Sequence, residues 1–331
     1  MLLRQFKETG PLTIFLIVIT LILVWVSAFI NLKGRFSLYF DLDPMPLYGV
    51  ITGLIGTNPL PGLLFTMLMV VLMAFSMVNL NTSLFFINER TFLPALLYVL
   101  FSGLFPQYQL MNPALFAGIF LMLAIKRIME AYRIQGTAYN FFDAGILIGT
   151  GSLFYANLIW FGLIIIIGIA LLRTVSVKEI VITLVGLATP FIITYAIYYV
   201  AGRDPNELLN LVRYNLFGKT AAFEFSRLTI VVLVYVGFLS LRSLGFLFMV
   251  MNSKKIQSRK TFYLLLWILV ISILIYIISP SVSVEIVWLA GIPVSYLLAH
   301  YFVFIKNKLV PEIFFSLLFI LIGLIQFWYL W

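Results

Sequence analysis

The sequence predicts an all-α protein, a polytopic transmembrane helical bundle of about eleven spans with its N-terminus cytoplasmic and its C-terminus periplasmic. Three observations predict it. Hydrophobic residues make up 63% of the 331 and charged residues 10%, whereas a soluble domain is nearer a quarter charged. Long Leu/Ile/Phe runs such as 161–172 recur along the chain. Helices satisfy their own backbone polar groups while crossing roughly 30 Å of hydrocarbon, so they are the element such runs form. Finally, fourteen of the 21 Lys and Arg fall in turns assigned inside and six in turns assigned outside, with Arg242 left within a span. The acidic residues divide evenly, so the bias is carried by the cations, as the positive-inside rule requires.

The elements follow in order. The first span reads 11–30, preceded by Arg4 and Lys7. Its apolar stretch is twice a typical signal-peptide core, which predicts an uncleaved anchor. Residues 31–59 form an outer segment, with a surface-lying helix after Pro46. The second span is 60–79. The third (92–105) and fourth (113–125) are short and joined by Phe105-Pro106-Gln107-Tyr108. The fifth (141–156) and sixth (158–172) meet at Ala156-Asn157. Segments this short predict helix pairs that do not each cross the bilayer, or that surround a cavity. The seventh span is 179–200, bent at Pro190, and an outer loop occupies 202–227. Spans at 228–250, 262–279, 283–304 and 311–330 complete a single integral membrane domain, 1–331. Trp328, Tyr329 and Trp331 read as interfacial anchors.

Composition also excludes. With no cysteine and one histidine, disulfides, thiolate metal sites, iron–sulfur ligation and multi-histidine centres lack ligands. The net charge of +9 is explained by membrane orientation, so nucleic acid is not an expected partner. Membrane lipids and other inner-membrane proteins are.

Few residues remain to carry chemistry. Asp41 and Asp43, in Phe40-Asp41-Leu42-Asp43-Pro44, can share a divalent cation, or one can act as a base; Asp before Pro is equally ordinary turn chemistry. Lys33, Arg35, Arg203 and Arg213 are outer cations suited to a lipid phosphate or to plain headgroup contact. Arg242 is an intramembrane charge, a costly feature, with Asp143 its expected ion-pair partner; about eight residues from the cytoplasmic end of its span, a depth of about 12 Å, its stem could also snorkel. His300 reads as a hydrogen-bonded interior residue. Gly145, Gly149 and Gly151 give the small-residue spacing of close helix packing. No metal and no cofactor is expected.

Two resemblances rest on particular residues. The stretch from Phe86 to Arg173 carries Asn88-Glu89-Arg90-Thr91-Phe92-Leu93-Pro94, Met111-Asn112-Pro113, Lys126-Arg127-Ile128, Phe141-Phe142-Asp143-Ala144-Gly145 and Gly149-Thr150-Gly151-Ser152-Leu153-Phe154-Tyr155. It resembles an uncharacterised family of multipass inner-membrane proteins of gliding and anaerobic Gram-negative bacteria. That resemblance implies a location and no mechanism. The helix order is also similar to that of GT-C glycosyltransferases, which implies a catalytic acid at Asp41 or Asp43 and a donor phosphate near Arg203 or Arg213. The Asp-Glu pair and the soluble outer domain of those enzymes are missing here.

Two functions follow. The first is a non-catalytic accessory subunit of a cell-envelope complex for protein export or secretion, suggested by the scarcity of convergent polar residues and the small-residue helix faces. The alternative is a polyprenyl-phosphate-dependent GT-C-type glycosyltransferase at the periplasmic face, the one reading that would use a divalent cation.

Overall fold

The computed structural model describes residues 2–7, 9–31, 43–55, 58–132, 138–172, 176–219, 223, 225–306 and 309–328. Among the described residues there are fourteen α-helices and no strand. They are α1 (Leu2–Lys7), α2 (Pro11–Ile30), α3 (Pro46–Ile55), α4 (Pro59–Leu84), α5 (Leu93–Phe101), α6 (Pro113–Glu130) and α7 (Ala138–Ser152). The chain continues with α8 (Gly162–Leu172), α9 (Val177–Val200), α10 (Pro205–Phe217), α11 (Arg227–Val250), α12 (Ile256–Ile278), α13 (Val287–Phe304) and α14 (Leu309–Trp328). Seven of them (α2, α4, α9 and α11 to α14) are long and apolar enough to cross a membrane, which points to a membrane protein.

Local sequence explains where the helices start. α2, α3, α4, α6 and α10 begin on a proline, whose fixed φ and missing N–H suit the first helical position. Asn112, Asp204 and Ser226 cap α6, α10 and α11 by accepting from the backbone N–H of Ala114 (2.8 Å), Asn206 (2.9 Å) and Thr229 (3.2 Å). α4 runs five residues beyond the expected 79 because buried Asn81 staples the turn that follows. Its amide donates to Glu89 O (3.0 Å) and accepts from Ile87 N (3.2 Å). The outer loop expected at 202–227 contains α10, and the expected sixth span is shortened to α8 by a 3-10 stretch over Ala156–Phe161.

Hydrogen bonds show which turns share an end of the bundle. At one end, the α10 end, Leu47 N meets Leu153 O (3.1 Å), and Asn157 donates to Ser281 Oγ (3.1 Å) and Asn215 O (3.2 Å). At the α1 end, Leu3 N donates to Glu312 (3.2 Å). There the Lys7 ammonium meets Val303 O (3.5 Å) and Lys260 meets Leu172 O (3.2 Å). These two cations sit on the last turns of α13 and α8, where a helix presents its unpaired carbonyls and negative pole. Burial pulls the Lys7 pKa down, with Glu89 and Glu312 opposing.

The core forms around α5 and α13. All nine residues of α5 are buried. Tyr98 donates to Trp288 O (3.2 Å) and Tyr296 to Met77 O (2.7 Å), while Phe86 packs edge-on to Tyr296 and Phe262. A nine-residue helix is far too short to span hydrocarbon, and its ends are tolerated because protein surrounds them.

Candidate functional site

α11 has two unlike faces. One stripe, Val232, Leu239, Ser243 and Leu247, is buried. On that side Tyr235 donates to Phe314 O (2.8 Å) and Phe246 packs against His300 and Tyr301 at 5.8 and 5.6 Å between ring centroids. The opposite face is apolar and bare, with Leu241 70% and Met249 84% exposed. On it, a Cβ added to Gly237 or Gly245 would meet nothing within 4 Å. Only 22% of the most apolar stretch of this helix is buried, against 78% for α13.

Arg242 is exposed at the edge of this bare face, near the middle of the span Arg227–Ser253. Gly237, Leu241 and Gly245 follow at intervals of four and share one side of the helix, while Arg242, three before Gly245, stands at the edge of that side, toward Tyr235 and Phe246. Among the described residues Arg242 has no carboxylate within 4 Å. A guanidinium in hydrocarbon is costly, and its planar fork matches a carboxylate or phosphate.

The expected Arg242–Asp143 pair is therefore not formed. Asp143 faces Arg127 at 3.8 Å, and Arg127 also holds Glu130 at 3.2 Å. The reason is packing: α7 lies against α9 and α6, whereas α11 lies against α13 and α14. Arg127, Asp143, Lys126 and Glu130 rim an open cleft of about 460 Å³. All four are a third or more exposed, and such pairs contribute little.

The glycines expected to pack do so in two directions. A Cβ on Gly145 would stand 2.7 Å from Thr183 O, and one on Gly149 would stand 2.5 Å from Leu187 O, both on α9. Gly186 of α9 answers them, since its Cβ would collide with Phe142 O. Gly151 is turned away from that seam and meets Leu158 and Phe120 instead, because two residues rotate a helix by about 200°.

Of the candidates expected on the outer side, Lys33, Arg35 and Asp41 lie outside the described residues. Asp43 has an exposed side chain, and its carbonyl accepts from the Asn215 side chain (3.1 Å). Asp43 thus meets α10 two residues from Arg213, which is exposed. Arg203 lies 5.7 Å over the Tyr198 ring. Among the described residues neither arginine has a carboxylate within 4 Å.

Three features escaped the sequence reading. Glu285 is buried; Tyr155 OH (3.1 Å) and Ser283 N (2.9 Å) donate to one carboxyl oxygen, and the other has no partner among the described residues. Its signal is an isolated acid where the polar Ser279-Pro280-Ser281-Val282-Ser283 meets an apolar run. Lys254, expected to be one of four loop cations, is buried with its ammonium 4.6 Å over the Phe304 ring. Burial holds its pKa below the usual lysine range. His300, expected to be hydrogen-bonded, is buried among Phe246, Phe262 and Phe304, and neither nitrogen is paired among the described residues.

Residues 44–330 match the model of a family of unknown function (DUF6427), and the chain belongs to that family. No curated protein and no solved structure shows significant similarity to it.

Proposed function

We propose that this member of the DUF6427 family is a non-catalytic accessory subunit of a cell-envelope complex for protein export or secretion. We read it as a single multipass domain in the bacterial inner membrane, crossing about eleven times, N-terminus cytoplasmic and C-terminus periplasmic. The expected crossings beyond the seven long helices fall on α5 to α8, of which α5 and α8 are too short to span hydrocarbon alone. The observation that carries the proposal is Arg242, exposed and without a carboxylate within 4 Å among the described residues, at the edge of the bare α11 face that carries Gly237 and Gly245. An arginine at the centre of a lipid-facing helix costs about 2.5–3.5 kcal/mol on insertion scales. A partner helix that brings a carboxylate to Arg242 and closes on Gly237 and Gly245 offsets that cost, and small residues let two membrane helices approach closely. A second copy of this chain in parallel would oppose like charges, so the partner is a different protein.

The test is native purification of the tagged chain in mild detergent with mass spectrometry of what accompanies it. Stoichiometric envelope proteins that are retained by wild type and lost from Arg242→Ala support the proposal. A chain that purifies alone contradicts it.

A second reading has its own observation. The Asn215–Asp43 hydrogen bond (3.1 Å) joins the acidic segment to the helix bearing Arg213, as a periplasmic GT-C-type transferase acting on polyprenyl phosphate requires. In it Asp41 or Asp43 is base or divalent-cation ligand, and Lys33, Arg35, Arg203 and Arg213 hold phosphate. Asp41→Asn with Asp43→Asn should then abolish function; an intact phenotype removes this reading.

A further inference from the structure

α8 is much shorter than its neighbours. Its 11 residues span about 16 Å, while α9 and α12 span about 35 Å at 1.5 Å per residue. The mismatch opens one apolar hollow on each side of α8. The larger, of about 600 Å³, lies toward α9 and is lined by Ile166, Thr183, Leu187, Ala188 and Phe191. The smaller, of about 320 Å³, lies toward α12 and is lined by Ile271, Leu274, Ile278 and Ser279. Both volumes fall in the roughly 300–1,000 Å³ range of small-molecule sites.

The two hollows share Trp160, Leu163 and Leu216, so they join at the α10 end and diverge along the two sides of α8. The junction is roofed by the last turn of α10, which is fixed in place. Leu216 O accepts from Ser281 Oγ (2.9 Å) and Ser279 Oγ (3.3 Å), and Asn215 O accepts from Asn157 (3.2 Å). Trp160 is 39% exposed at the junction, and its indole N–H has no acceptor among the described residues. An amphipathic ring of this kind settles where hydrocarbon meets polar groups.

We infer that this forked groove binds one two-chain phospholipid, with a chain on either side of α8 and the glycerol and head beside Trp160, Ser279 and the end of α10. The fork selects the occupant. A partner helix is about 10 Å across and cannot enter both hollows with α8 standing between them. A single isoprenoid chain fills one hollow and leaves the other empty. Two chains joined at a head match both hollows and their meeting point.

Native mass spectrometry of the detergent-purified chain, followed by lipid extraction, is the test. One diacyl phospholipid per chain is expected to survive purification. Ala188→Trp, which fills the larger hollow, and Leu274→Trp, which fills the smaller, should each lose it, whereas Val234→Trp on α11 should keep it. No retained lipid, equal retention in the filled variants, or a single-chain isoprenoid phosphate in its place would overturn the assignment. A second measurement needs no groove variant: a phospholipid with brominated chains should quench Trp160, read as the difference between wild type and Trp160→Phe. Identical quenching of the two chains would also overturn it.

Discussion

α9 and α11 are the two least buried of the long helices, and each carries small residues, yet they use them in opposite ways. On α9, Gly186 lies against the Phe142 carbonyl, and Gly145 and Gly149 of α7 lie against the Thr183 and Leu187 carbonyls, so two backbones touch. On α11, a Cβ at Gly237 or Gly245 would meet nothing, and Arg242, with no carboxylate within 4 Å among the described residues, stands at the edge of the same face. In a bilayer, apolar area gives no net attraction between helices, so close approach and polar pairing decide association. The α7–α9 seam is a finished contact. The α11 face presents open glycines of the same kind with no second helix against them among the described residues.

Breaking the finished contact has the largest expected effect. Gly186→Leu must push α7 and α9 apart, since its obstacle is backbone that cannot repack. The cost is about 3 kcal/mol, the upper end for overpacking, read as a fall in the detergent melting temperature. Arg242→Leu acts on the other side of the comparison. The isolated chain should keep its melting temperature or gain, while the complex loses about 2 kcal/mol or more of association, read by co-purification. Gly245→Leu sharpens the contrast with Gly186→Leu. Stability of the chain alone changes by less than about 0.5 kcal/mol, yet the partner is lost because the helix face is filled.

The smallest effect concerns Lys254. Its burial lowers the folded pKa below the ordinary 10.5. Between those two values the unfolded chain holds a proton that the folded chain has released, so stability rises with pH across that window. Lys254→Met keeps the stem packed on Phe262 and Phe304 and should flatten that rise. Melting temperatures measured from neutral to alkaline pH read the difference.

Much of this was legible in the sequence. Pro11, Pro46, Pro113 and the long apolar runs marked helix starts and spans within a few residues, because proline geometry and hydrocarbon thickness act locally. The small-residue spacing at Gly145 and Gly149 was visible for the same reason. What escaped depends on which helices become neighbours. Gly186 gains meaning only opposite Phe142. Asp143 found Arg127 on the neighbouring α6, because α11 packs on α13 and α14 and not on α7. Glu285 and Lys254 sit at span ends, where a charge looks solvated until the fold buries it. Arg242 was recognised as unusual from sequence alone, but its missing partner became evident only once its neighbours were known.

The central claim is that the bare face of α11 is a docking face, and the absence of cysteine from the sequence makes it directly testable. A single cysteine at position 245, labelled with a benzophenone maleimide and irradiated in native membranes, should give one discrete protein adduct. The same label at position 184, on the bare face of α9, should give none. No adduct from position 245, or the same smear from both positions, would contradict the account.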